Sequence, residues 1–367
     1  MMKLLLINIF IFCALLMVGC KNPEIKMVFP GEEWQFATPV SQYVDEGIML
    51  EALDYLQSKS FEDGNEEVLI IRNGYVIYTG DSIDKRHNIW SCSKSFTSTV
   101  LGLMISDEIC KLDDPVYKFE PLLKEKYAKV TFRHFTTMTS GYNAVGDSRW
   151  NETSKDWSIT PYDPGEPIFE PGTRYAYWDE AMMMMGRALT KALGKSMKAY
   201  LEERMTSRIG IGDWEWHHEG EVDGIQINNG CTNVYINAKQ LARFGHLYLN
   251  MGNWNGEQLF PESWVKMATS VQVPESMPVA DTDRKSARGS GAYGFNWWIN
   301  GGLSAMPDTP PRTYYASGLN HNVCFVIPEW SMVIVRMGTD GNPPEGKHVI
   351  WNEFLKRLGK GVDHHKM

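Results

Sequence analysis

The sequence predicts an α+β fold in which one antiparallel sheet is assembled from both ends of the chain around a mostly helical insertion. Two observations carry that expectation. Val68 to Tyr78 reads as two apolar strands around Asn73-Gly74, the strongest short hairpin signal. Strand-like runs then return only near the other end, at 294–299, 323–327 and 332–337. Between them, from Asp113 to about Val271, lie helical patterns and long loops rich in Pro and Trp.

Taken in order, Met1-Met2-Lys3 and the apolar run Leu4 to Val18 read as an export signal, too short for a comfortable membrane span. The run ends in Met17-Val18-Gly19-Cys20, which resembles a bacterial lipobox and makes Cys20 the expected lipidation site. Residues 20–44 read as a tether, and Ile48 to Ser58 as a helix. The formal net charge is −9, and no basic run is present, which argues against nucleic acid and against electrostatic docking on anionic lipid. Cys92, Cys110, Cys231 and Cys324 stand singly and read as buried thiols. A last helix is expected near Ile350 to Leu358.

Chemistry is concentrated at Ser91-Cys92-Ser93-Lys94. Phe96, Val100, Leu103 and Met104 follow at the spacing of a buried helix face. Ser91 and Lys94 therefore share one side of a first turn, where unpaired N–H groups concentrate positive potential. A hydroxyl beside an amine and exposed N–H donors suits an acyl-accepting nucleophile. Ser-x-x-Lys also occurs at Ser82–Lys85 and Ser263–Lys266, but in a polar loop and on a short surface helix. Cys92 lies about 100° around the helix from Ser91 and is not the expected nucleophile.

Ser91 to Thr97 resembles the nucleophile segment of the penicillin-recognising serine hydrolases, in the branch related to class C β-lactamases. Val130 to Gly141, Pro171 to Tyr177, and Leu241 to Gly245 with Trp254 to Val265 resemble further runs of that branch, in the expected order across residues 45 to 358. The resemblance implies a β-lactamase/penicillin-binding-protein-like α+β fold. Together with the export signal and the lipobox, the layout expected is a signal peptide 1–19, a lipidated tether 20–44, a domain 45–358 and a tail 359–367. Within the domain, a sheet subdomain (45–112 and 275–358) would flank a helical one (113–274).

By the same resemblance Tyr177 is the proton-shuttling tyrosine, assisted by the ammonium of Lys94. Asp179 stands where the family usually has asparagine. As a carboxylate it accepts and cannot donate, so it would pair Lys94 or select a substrate bearing a donor or cation. Ala316-Ser317-Gly318 stands where the family has Lys-Thr-Gly or a variant. Gly318 permits close approach of a substrate backbone, and the N–H groups of Ser91 and Leu319 would form the oxyanion hole. The missing lysine turns the expectation from a β-lactamase or D-Ala-D-Ala-type peptidase toward the EstB-like esterases and 6-aminohexanoate-oligomer hydrolases.

The function expected is thus a lipid-anchored, cell-envelope serine hydrolase acting on a small ester or amide through an acyl-enzyme on Ser91. It would need no cofactor or metal. The alternative of another class is a non-catalytic envelope sensor on the same fold. His217 and His218 read as loop residues, and His321 as a loop histidine within reach of substrate. Met182 to Met185 read as core, and the loop Tyr142 to Phe169, with Trp150 and Trp157, as a substrate-selecting rim.

Overall fold

The computed structural model describes residues 26–60, 62–147, 156–281, 289–302, 305–339, 341 and 346–363. Cys20 and Trp150 lie outside them.

A seven-stranded sheet forms the frame. Its strands are β1 (Gln35–Phe36), β2 (Val68–Arg72), β3 (Tyr75–Thr79), β4 (Trp298–Ile299), β5 (Tyr314–Ser317), β6 (Val323–Ile327) and β7 (Met332–Arg336), in the order β1-β3-β2-β7-β6-β5-β4. Both ends of the chain contribute, as the hydrophobic patterning implies. Asn73 and Gly74 take positive φ of 54° and 86°, the geometry that lets a two-residue turn follow the strand twist. Every pairing is antiparallel except β1 with β3, which makes the sheet mixed rather than antiparallel.

Side chains alternate across the sheet and divide the core in two. Val68, Ile70, Phe325, Ile327, Met332 and Ile334 face α1 (Glu46–Lys59) and the last helix. Leu69, Ile71, Cys324, Val326, Val333 and Val335 face the larger cluster, which includes Phe96, Val100 and Leu103 of α2 (Ser93–Ser106). The remaining helices used below are α3 (Asp179–Leu193), α4 (Ala238–Leu249) and α5 (Lys347–Gly359).

Further expectations change. The segment read as a tether is docked from residue 28 onward. Trp34 and Val44 are buried, Val28 N–H donates to Asn73 O at 3.0 Å, and Arg243 on α4 donates to the carbonyls of Gly31 and Glu32. Its polar side chains, among them Glu32, Glu33 and Gln35, stay exposed while its backbone is docked. Residues 294–299 yield only the two-residue β4, because Asn296 (φ 57°) closes a turn with Gly294 N–H donating to Trp297 O. The middle of the chain also holds short strands, Glu215–Trp216, His218–Val222, Ile225–Asn228 and Val234–Ile236. In addition, α4 lies on the sheet, with Cys324 Sγ 3.8 Å from the Leu241 carbonyl, although it falls within the stretch read as helical subdomain.

Candidate active site

The chain approaches Ser91 under constraint. Asn88 Oδ1 accepts from the N–H groups of Trp90 (2.8 Å) and Asn233 (3.1 Å), and β-pairing of His87–Asn88 with Val234–Ile236 anchors the segment. Trp90 is thereby held at φ 51°, a region an L-tryptophan rarely occupies and one that costs about 1–3 kcal/mol. Ser91 follows in a single 3₁₀ turn (Trp90–Cys92) that leads into α2.

Lys94 is one turn further on and only 1% exposed. Its Nζ donates to Ser91 Oγ (2.8 Å) and to the Cys231 carbonyl (3.1 Å), and lies 2.6 Å from Asp179 Oδ1. Tyr177, six per cent exposed, lies against Lys94, whose Nζ sits 4.8 Å from its ring centroid, and its phenol interacts electrostatically with Lys94 and Ser91. The ring is fixed by stacking on Trp298 (5.7 Å, 19°) and by an edge contact with Tyr293.

Asp179 opens α3, where its carboxylate is favoured by the helix dipole. Its second oxygen accepts from Trp157 Nε1 at 2.7 Å, and its N–H donates to Asp156 Oδ2 at 3.2 Å. Of the two roles open to it in the sequence, the geometry shows the pairing with Lys94. Burial pushes the Lys94 amine down, but Asp179 and Tyr177 outweigh that and hold it well above its ordinary range, so it rests as an ammonium. Burial pushes the Tyr177 phenol up, against the pull of Lys94 and with a further push from Asp179, so it rests protonated.

The opposite wall is the end of β5. Ala316 is buried and pairs with Cys324, Ser317 is half-buried, and Gly318 abuts the nucleophile segment. A Cβ on Gly318 would collide with the Ile89 carbonyl oxygen and lie 3.2 Å from the Ser91 nitrogen. Leu319 follows, its side chain exposed and its carbonyl accepting from Asn322 Nδ2 at 2.7 Å.

Ser91, Lys94, Tyr177, Asp179 and Gly318 thus converge. His321 does not: it is buried and its ring lies 4.8 Å from that of Trp351 on α5, behind the sheet. The Cys92 thiol turns toward the Asn322 carbonyl, away from Ser91. His217 pairs with Glu215 and stacks on Tyr235. Sequence reasoning missed the Cys231 carbonyl and the contact of Trp157 with Asp179. A carbonyl acceptor leaves no residue-type signal, whereas Trp157 was visible as a rim aromatic without its partner.

The beta-lactamase family model matches residues 67–356. The chain belongs to the beta-lactamase family. Among its relatives, an uncharacterized protein of Alkalihalophilus pseudofirmus is 21% identical over 270 residues, covering 72% of this chain and 76% of the relative. Solved structures of the same architecture include a hydrolase with promiscuous acyltransferase activity, with TM-score 0.65, 15% identity, and 87% and 99% of the two chains covered. A penicillin-binding protein homologue from Caulobacter crescentus has TM-score 0.63 and 14% identity, with 86% and 98% covered. At these identities the structural likeness establishes the fold.

Proposed function

We propose that this beta-lactamase-family protein is a serine hydrolase that cleaves small uncharged esters through an acyl-enzyme on Ser91. The observation that carries the reading is the buried cluster in which Lys94 Nζ donates to Ser91 Oγ and lies against the Tyr177 ring. The relative described as a hydrolase with acyltransferase activity is consistent with it.

The reactive form has lost one proton from the coupled Tyr177–Lys94 pair. In it the Tyr177 phenolate, stabilised by the Lys94 ammonium, takes the Ser91 Oγ proton as Oγ bonds the carbonyl carbon. The carbonyl electron pair moves to oxygen, facing the N–H groups of Ser91 and Leu319. The Tyr177 phenol then returns its proton to the departing alkoxide as the C–O bond breaks. Water repeats the sequence on the acyl-enzyme, releasing the acid and restoring Ser91.

Two recognition groups for acylamino carboxylates are missing, which favours simple esters. Ala316 carries no charge, and Asp179 has no proton to offer while its oxygens accept from Lys94 and Trp157. On one purified sample, kcat/KM for a 4-nitrophenyl ester is expected to exceed that for a chromogenic cephalosporin. The reverse order would overturn the ester assignment.

A further inference from the structure

The rim loop is wired to the nucleophile. Trp157 Nε1 donates to Asp179 Oδ2 (2.7 Å), Asp179 Oδ1 meets Lys94 Nζ (2.6 Å), and Lys94 Nζ donates to Ser91 Oγ (2.8 Å). Three consecutive short contacts therefore join residue 157 to the reacting hydroxyl. The loop is fastened at this point by a separate group. Glu180, the next residue of α3, accepts from Ser158 N (2.7 Å) and Ala144 N (2.9 Å). Two adjacent carboxylates thus divide the work, with Glu180 latching the loop and Asp179 receiving from it.

We propose that Trp157 is a positioning residue, whose indole N–H orients the Asp179 carboxylate on Lys94 so that the rim loop sets the protonation of the nucleophile's partners. This rests on the Ser91 hydrolase reading. The N–H stabilises the ionised carboxylate, and with it every anion in the cluster. Lys94 on α2, Tyr177 ahead of α3 and the Cys231 thiol face Asp179 directly, with Glu180 and Asp156 beside it. Tyr293 and Tyr175 bear on Tyr177, and Glu219 on Cys231. Removing the indole N–H makes the cluster harder to deprotonate. Removing the Asp179 charge makes it easier, because Asp179 pushes both Lys94 and Tyr177 upward.

The two changes are therefore expected to move the acid limb of kcat/KM for 4-nitrophenyl acetate in opposite directions. W157F should move it to higher pH by about one unit. D179N should move it to lower pH. In the D179N background W157F should add nothing, since no carboxylate remains to orient. A purely structural tryptophan would lower stability and rate without moving the limb.

The carboxylate contact is also readable without W157F. Of the indole N–H signals from the thirteen tryptophans, one should move upfield in D179N. Equal limbs in wild type and W157F, or no indole shift in D179N, would overturn the proposal. A wild type that neither turns over the ester nor reacts at Ser91 with a fluorophosphonate would overturn the hydrolase reading itself, and this proposal with it.

Discussion

A single hydroxyl separates the two things Tyr177 could be. Its ring is held by Trp298 and Tyr293, so the aromatic packing survives in Tyr177→Phe while the hydroxyl proposed to carry the proton is lost. Steady-state kinetics should show kcat reduced about 10²–10⁴-fold, the range of general acid–base contributions, with the melting temperature little changed. A variant with near wild-type kcat and reduced stability would leave Tyr177 as a core residue. At this scale the Ser91–Lys94 contact was legible in the sequence, because its spacing follows from helix geometry, whereas Tyr177 was marked only by the family resemblance. Asp179 was legible only as an anomaly. Its pairing with Lys94 emerges only in the fold, which also brings Trp157 to its second oxygen from more than twenty residues away in the sequence.

Two elements meet at Gly318, the end of β5 and the turn that presents Ser91. Because a Cβ there would strike the Ile89 carbonyl, Gly318→Ala must push the strand end away from the Ser91 backbone and separate the N–H groups of Ser91 and Leu319. The loss expected is about 10²–10³ in kcat, the size of one oxyanion donor, with the fold retained. A Gly318→Ala enzyme of full activity would remove Leu319 from the proposed oxyanion hole. Long, strongly patterned elements were legible: the Asn73-Gly74 hairpin, α1, α2 and the closing strands. Two-residue strands were not, since neither period nor propensity accumulates over so few residues. The turn at Asn296 defeated the strand expected at 294–299, because one left-handed residue outweighs four apolar ones.

On the scale of the whole molecule, the N-terminal arm is sewn to α4. His246 is fully buried, with Nε2 donating to the Val28 carbonyl at 3.0 Å beside Trp34 and Phe29. Burial depresses its imidazole to about 4. The unfolded imidazole, with an ordinary value near 6.5, gains its proton first as pH falls. The stability His246 contributes is therefore present above about pH 6.5 and lost progressively toward pH 4, on the order of 3 kcal/mol. His246→Gln, which keeps an N–H for Val28, should flatten denaturant-unfolding stability across that window. An unchanged pH slope would show that other groups set it. Sequence reading took this arm for a tether because it weighed polarity. What docks it is one buried indole, Trp34, together with backbone carbonyls held by Arg243 and His246, and carbonyls are the same in every residue.

The central claim is that Ser91 is the nucleophile. Its most direct test is peptide mass spectrometry after exposure of the folded protein to a fluorophosphonate, with Ser91→Ala as control. The account predicts one phosphonylated site, on Ser91, absent from Ser91→Ala and slowed in Tyr177→Phe. Labelling that persists in Ser91→Ala, or a folded wild type that takes no label, would contradict it.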